Sequence, residues 1–175
     1  GFIVGFDNDK PTIFNRMVSF IQESGIVTAM VGLLNAPKGT DLYKRLQSEG
    51  RLTDDFSGDN TNFTMNFVPK MDKNLLVKGY ESIVSIIYSP KHYYERVRNF
   101  LKSYTSGKSV RKEISAVNIM AFLKSIFRLG IIGKERRYYW ELLIWSIFKR
   151  PEVFPAAVRF SIYGFHFRKI YEDIG

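Results

Sequence analysis

Few residues of this 175-residue chain combine the type and the spacing that chemistry needs. Ser106-Gly107-Lys108-Ser109 has the ending of a phosphate-binding loop, in which backbone N–H groups and a lysine cradle phosphate oxygens. Such a loop also needs a glycine five residues before the Gly-Lys pair and a strand ahead of it. Lys102 stands at that position and a helical pattern precedes it, so no phosphate cradle is expected. The two histidines, His92 and His166, lie beside aromatic residues, with no carboxylate, cysteine or second histidine at ligand spacing. Both read as packed or hydrogen-bonded structural side chains. Acidic residues in the C-terminal part occur singly, so no carboxylate pair for acid–base work is evident. No catalytic residue and no metal ligand is assigned. The absence of cysteine excludes thiolate catalysis, disulfides and cysteine-held metal or iron–sulfur sites within these residues.

Binding is the remaining chemistry, and charge locates it. The formal net charge is +9; residues 1–70 carry seven Lys/Arg and eight Asp/Glu, whereas residues 71–175 carry 19 and nine. A basic C-terminal part suits an anionic partner such as RNA, a phosphate-bearing ligand or an anionic membrane face, and equally suits a solvated helical surface. In KERRYYWELLIWSIFKR, residues 134–150, Tyr138, Tyr139, Trp140, Leu142, Leu143, Ile144, Trp145, Ile147 and Phe148 cover nearly the whole circumference of a helix. That pattern predicts a helix buried in the middle of a bundle. With Lys134, Arg136, Arg137, Lys149 and Arg150 at its ends, the alternative is a helix seated in a membrane interface. Stacking on RNA is a further use, although no RNA-module signature accompanies it, and no DNA partner is expected. No secretory pattern is read, and no stretch approaches the roughly 18 uncharged apolar residues of a membrane span. The expected location is cytoplasmic, with peripheral contact to a membrane as the variant.

The elements that would position these residues fall into two kinds. GFIVGF, residues 1–6, is apolar on both faces and reads as a strand of a covered parallel sheet. Asp9 and Pro11 open a helix whose Ile13, Phe14, Met17, Val18 and Ile21 form one stripe, ending at Gly25. IVTAMVGLL, residues 26–34, is a second strand, and the loop NAPKGT leads to a helix with Leu42, Tyr43 and Leu46 inward, stopped by Gly50. Strand, helix, strand, helix is an α/β unit with parallel strands, too small to close a sheet alone. Residues 51–70 lose periodicity and read as a linker; Asn62-Phe63-Thr64 fits the glycosylation pattern by chance. From residue 71 to 175 an all-α bundle of about five helices is predicted. Asp72 caps the first, with Leu75, Leu76, Tyr80, Ile83 and Ile87 inward, and Ser89-Pro90 starts the second, with Tyr93, Val97, Phe100, Leu101 and Tyr104 inward. The third runs from about Arg111 to a stop at Gly130, the fourth ends at Pro151, and the fifth starts near Pro155.

GFIVGF, the helix after it, and NAPKGTDLYKRLQSEGRL together resemble the late part of the radical S-adenosylmethionine barrel. Gly1, Ile3 and Gly5 match its G-x-I-x-G strand; Gly39, Thr40, Leu42 and Tyr43 match its P-G-T-x-L-Y loop. Asp7, Asn8 and Asp9 stand where many members have Pro-Gly-Glu, and Lys38 replaces the proline before Gly39. GFIVGFDND, AMVGLLNAPKGT, NTNF and VPKM are most similar to the branch with an N-terminal cobalamin-binding domain and a helical C-terminal region, which includes hopanoid-methylase-like proteins.

The resemblance implies that residues 1–50 are the last two strands and helices of a partial β/α barrel. The parent would be an enzyme, a cobalamin-dependent methyltransferase or related radical enzyme acting on an unactivated carbon. It would use S-adenosylmethionine, a [4Fe–4S] cluster and cobalamin. Gly1, Ile3 and Gly5 would line the adenosyl pocket, where a glycine lets a ring approach the backbone, and Gly39 and Thr40 would sit on the barrel rim. The start in mid-strand without methionine reads as a piece cut from that parent, inert by itself and binding no cofactor alone. Its partner would be the rest of the parent chain, and its open strand edges predict strand-mediated homodimerisation of the isolated piece.

Overall fold

The computed structural model of the protein describes residues 1–53, 65–105 and 116–172. The Ser106–Ser109 and Asn62–Thr64 motifs lie outside the described residues, as does the expected helix start at Arg111. The first four elements follow in the expected order: β1 (Phe2–Val4), α1 (Thr12–Ser24), β2 (Val31–Leu33) and α2 (Asp41–Ser48). β1 and β2 pair in parallel, with Phe2 opposite Val31, Ile3 opposite Gly32 and Val4 opposite Leu33. The Phe2 N–H reaches the Met30 carbonyl at 2.7 Å and the Leu34 N–H reaches the Val4 carbonyl at 2.8 Å. Parallel neighbours cannot be joined by a tight turn, and α1 supplies the crossover. Val4, Val31 and Leu33 are buried, whereas Ile3 is 49% exposed.

Both strands are shorter than the apolar runs that predicted them. Gly5 leaves the extended region at φ +108° and ends β1. Asp9 then closes the turn instead of capping α1: its Oδ2 accepts from the N–H groups of Gly5 and Phe6 at 2.9 and 3.0 Å, and the helix starts three residues later. α2 begins as expected, with the Thr40 hydroxyl accepting from the Tyr43 N–H and Leu46 fully buried.

α3 (Lys73–Tyr88) is started by Asp72, whose Oδ1 accepts from the Leu75 N–H at 2.8 Å. Leu76, Tyr80, Ile83 and Ile87 are buried as its stripe predicts; Leu75, also expected inward, is 42% exposed. The ring of Phe14 lies directly on the α3 backbone at Gly79, where an added Cβ would come within 2.3 Å of ring atoms.

The chain divides into two compact units, one built from Gly1–Phe20 and Ala29–Ile86, the other from Ile21–Thr28 and Ile87–Glu172. α3 as far as Ile86 thus groups with the strands, although the sequence pattern puts the start of the helical part at residue 71; the Phe14–Gly79 contact supplies the physical reason. The described ends of the 51–70 stretch also pack in the first unit. Leu52 bridges Phe67 in antiparallel fashion, and Met65, Asn66 and Phe67 are buried.

The second unit is helical: α4 (Pro90–Ser103), α5 (Ala116–Ser125), a π-helical turn (Ile126–Ile132), α6 (Arg136–Lys149), a 3-10 turn (Pro151–Val153) and α7 (Phe154–Glu172). Tyr93, Val97, Leu101, Leu129, Tyr139, Leu142 and Leu143 form its core. Its polar centre is Arg96, fully buried. The guanidinium bonds the Gln22 side-chain oxygen and donates to the carbonyls of Val27 at 3.3 Å and Ile87 at 2.9 Å. This hold on Val27 is one reason the expected second strand starts only at Val31.

Two expectations for this unit are corrected. Gly130 does not stop a helix; the chain continues in a wide turn to Ile132, because Gly130 makes room for the Trp140 ring and its carbonyl accepts from the indole N–H at 3.0 Å. α6 is not buried all round either. Tyr139, Leu142, Leu143 and Ser146 face inward, while Ile144, Ile147 and Phe148 are 51%, 49% and 80% exposed.

Candidate functional site

In a parallel βαβ unit the ligand-facing loops leave the C-terminal ends of the strands. After β1 that end is Gly5-Phe6-Asp7. Gly5 is buried, and a Cβ there would meet Leu76 Cδ2 at 3.2 Å and Met65 Cε at 3.3 Å. The space a side chain would need is therefore filled by the chain's own packing. Asp7, two residues on, is the centre of an ion cluster. Arg51 grips it through both guanidinium nitrogens, Nη2 to Oδ1 at 2.8 Å and Nη1 to Oδ2 at 3.1 Å; Arg45 adds a bond at 3.1 Å and Lys70 lies at 3.9 Å. Arg51 also donates to Glu49 at 2.8 Å and to the Val68 carbonyl at 2.9 Å.

The hydrogen bond from Arg51, with the charges of Arg51, Lys70 and Arg45 behind it, holds the Asp7 carboxyl below its usual range, and the same contact raises the Arg51 guanidinium. A carboxylate so engaged is a clamp and a poor proton acceptor. It ties the β1 turn to the stretch at Arg51 and to the end of α2.

After β2, Asn66 does the corresponding work. Its Oδ1 accepts from the Ala36 N–H at 2.8 Å and its Nδ2 donates to the Ala36 carbonyl at 2.7 Å, while its own N–H donates to Asn35 Oδ1 at 3.0 Å. A side-chain amide thus pairs with one peptide group as a neighbouring strand would, and satisfies backbone that would otherwise be buried unpaired. Gly39, at φ +87°, and Thr40 form the exposed turn before α2, where the Thr40 hydroxyl donates to the Pro37 carbonyl at 2.8 Å.

Of the residues assigned from the sequence, Gly1 is exposed just before β1, Ile3 is exposed on β1, Gly5 is buried under Met65 and Leu76, and Gly39 and Thr40 make a turn and a helix cap. Asp7, Arg51 and Asn66 were not assigned. Their partners are 44 and 30 residues away, so no local spacing marks them. The one available signal is the acidic Asp7 at a position where the resembled family has another pattern. His92 is engaged through Nδ1 with the Ser89 hydroxyl at 2.8 Å, and His166 is exposed beside Phe167. Among the described residues no three His, Cys, Asp or Glu come together as a metal site, and no helix is long and apolar enough to cross a membrane.

These donors do not fit an iron–sulfur cluster, which needs thiolates that this chain lacks. Gly1 and Ile3 are exposed, whereas the space beside Gly5 is filled by Leu76 and Met65.

The described chain thus combines a small parallel strand pair with a helical unit. The chain belongs to the family described as domain of unknown function DUF4070, which matches residues 40–175. It is 30% identical over 177 residues to an uncharacterised methyltransferase, sll1242, of Synechocystis sp. (strain ATCC 27184 / PCC 6803 / Kazusa), covering 99% of this chain and 33% of that protein. It is 28% identical over 151 residues to the hopanoid C-2 methylase of Rhodopseudomonas palustris (strain TIE-1), covering 82% of this chain and 28% of that protein. The chain spans about a third of the length of these curated relatives. No solved structure matches it. The resemblance to the hopanoid-methylase-like branch, drawn from GFIVGFDND, AMVGLLNAPKGT, NTNF and VPKM, is borne out by the family match and these relatives.

Proposed function

We propose that these residues are the last part of a methylase that places a methyl group on an unactivated carbon of a hydrophobic substrate, using S-adenosylmethionine, a [4Fe–4S] cluster and cobalamin. The observation that carries this reading is the parallel β1–β2 pair, joined through α1, within a chain similar over nearly its whole length to a protein named a methyltransferase. When bound, that cofactor set supplies the methyl group and the means to activate the carbon; its cluster ligands come from residues beyond these. This chain contributes walls and supports. Gly1 and Ile3 offer an exposed apolar strand face to the adenosyl group, Gly5 turns the backbone away behind them, and the Asp7–Arg51 clamp holds that turn. The two-stranded sheet, with Ile3 exposed, is suited to pairing with further strands of the same protein.

The test uses the whole protein, purified and reconstituted without oxygen, with iron content and S-adenosylmethionine binding measured separately. Cluster-loaded protein should bind S-adenosylmethionine, and Ile3→Glu should weaken that binding at unchanged iron content. A protein that takes up no iron, or whose gene encodes no cysteine triad outside these residues, refutes the reading.

A further inference from the structure

We infer that α5, the π-helical turn and α6 carry a docking face for an anionic lipid bilayer. This inference stands on the helical unit alone and does not depend on the methylase reading. Two rows of apolar side chains are exposed there. Met120, Leu123, Phe127 and Ile131, spaced three and four apart, are 58%, 59%, 60% and 57% exposed; Trp140, Ile144, Ile147 and Phe148 form the second row along α6. The rows meet where the Trp140 indole rests on Gly130. Apolar exposure on this scale, in rows and not as scattered single residues, marks a surface that something covers.

Charge identifies the occupant. Lys124, Arg128, Arg136, Arg137 and Lys149 on these elements, and Lys134 in the turn before α6, are all exposed. Lys124 and Arg128 line a shallow apolar depression together with Leu123 and Phe127. Among the described residues from Asn118 to Lys149 the carboxylates are Glu135 and Glu141. Glu135 is buried in an ion pair with Arg168 at 2.5 Å, and Glu141 is paired with Arg137 at 2.9 Å. An apolar, aromatic-bearing surface bordered by cations and almost free of unpaired anions is complementary to anionic headgroups above acyl chains. A protein partner would have to be both apolar and strongly acidic to match it. The rows are too short and too interrupted by charge to span the membrane, so the contact lies in the interface plane.

Vesicle co-sedimentation of the whole protein tests this, comparing phosphatidylcholine vesicles with vesicles carrying about 30% phosphatidylglycerol. Binding is expected to the anionic vesicles, weakened by added salt, with a blue shift of tryptophan fluorescence. Phe127→Asp with Phe148→Asp should weaken binding by about tenfold or more, and Lys124→Glu with Arg128→Glu should remove the preference for anionic lipid. Circular dichroism and the unfolding midpoint check that each variant is folded; both pairs change exposed side chains. No binding to anionic vesicles overturns the inference. So does binding that the aspartate pair leaves unchanged, or hydroxyl-radical footprinting of the vesicle-free protein that leaves Met120, Phe127 and Phe148 unmodified, which would show the face covered by another segment or a second copy.

Discussion

Replacing Arg96 with methionine removes the polar centre of the helical unit while keeping a long, flexible apolar side chain. Three acceptors lose their donor: the side-chain oxygen of Gln22 and the carbonyls of Val27 and Ile87. Ile87 lies in the last turn of α3, where carbonyls have no partner within the helix, so the guanidinium there serves as a helix cap of the favourable charge. A buried acceptor left without a partner costs about 1–3 kcal/mol. Removing the cation returns part of this, because burial disfavours the charged guanidinium and lowers its pKa. The partners are neutral, so methionine leaves no uncompensated charge behind. The net loss should be about 3 kcal/mol, a fall in unfolding temperature of about 6–12 °C for a unit within a chain of this size. Arg96→Lys should fall between the two, since one ammonium cannot reproduce the planar fork that reaches three acceptors. Urea and thermal unfolding followed by circular dichroism measure both, with Lys91→Met on the exposed side of the same helix as the control, expected within about 0.5 kcal/mol of the parent. If Arg96→Met and Lys91→Met unfold at the same midpoint, the guanidinium is not holding these segments and the account of the unit is wrong.

Gly79→Ala should destabilise although alanine is the better helix former by about 1 kcal/mol, because its Cβ would lie within 2.3 Å of the buried Phe14 ring. A net loss of about 1–2 kcal/mol is expected, and Phe14→Leu in the same protein should recover part of it in a double-mutant cycle. Asp7→Asn should cost about 1–2 kcal/mol at neutral pH by breaking the bidentate contact with Arg51. Because the folded Asp7 pKa lies below its unfolded value, the contribution is complete above about pH 4 and is lost as pH falls through the folded value. Stability measured against pH should therefore show the gap between parent and variant narrowing as pH falls below about 4; a gap that does not narrow in acid would contradict the clamp.

What could be read locally in the sequence was read well. Asp72 starts α3 and Ser89-Pro90 starts α4, the one through a contact spanning three residues and the other through a fixed proline φ; the Thr40 cap of α2, equally local, is a contact the motif reading of Thr40 passes over. What depended on distant residues could not be read that way. Asp9 looked like a cap because serine-like oxygens before an apolar stripe usually are, yet its carboxylate is taken by the turn after β1. Gly130 looked like a stop until the Trp140 ring, ten residues on, filled the space above it. The charge pattern does not single out Arg96 among the cations of the basic C-terminal part. Its signal was present and unread: it sits three residues after Tyr93 and four before Phe100, inside the apolar stripe of α4, where a solvated arginine does not belong. The candidate site was half legible, in that the G-x-I-x-G and P-G-T-like motifs mark both strand ends, whereas the Asp7–Arg51 and Asn66–Ala36 contacts that brace them are long-range.

Arg96 also bears on how this architecture can be inherited. Residues 21–28 precede the helical unit by some sixty positions, yet they supply two of the three acceptors that satisfy its buried charge. A recombination event that copied only the helices from residue 71 onward would transplant the guanidinium into an apolar interior without two of its three partners. The helical unit is therefore not a portable module. It can be exchanged between proteins only together with the end of α1, so lineages that carry these helices should carry that strand-and-helix segment with them.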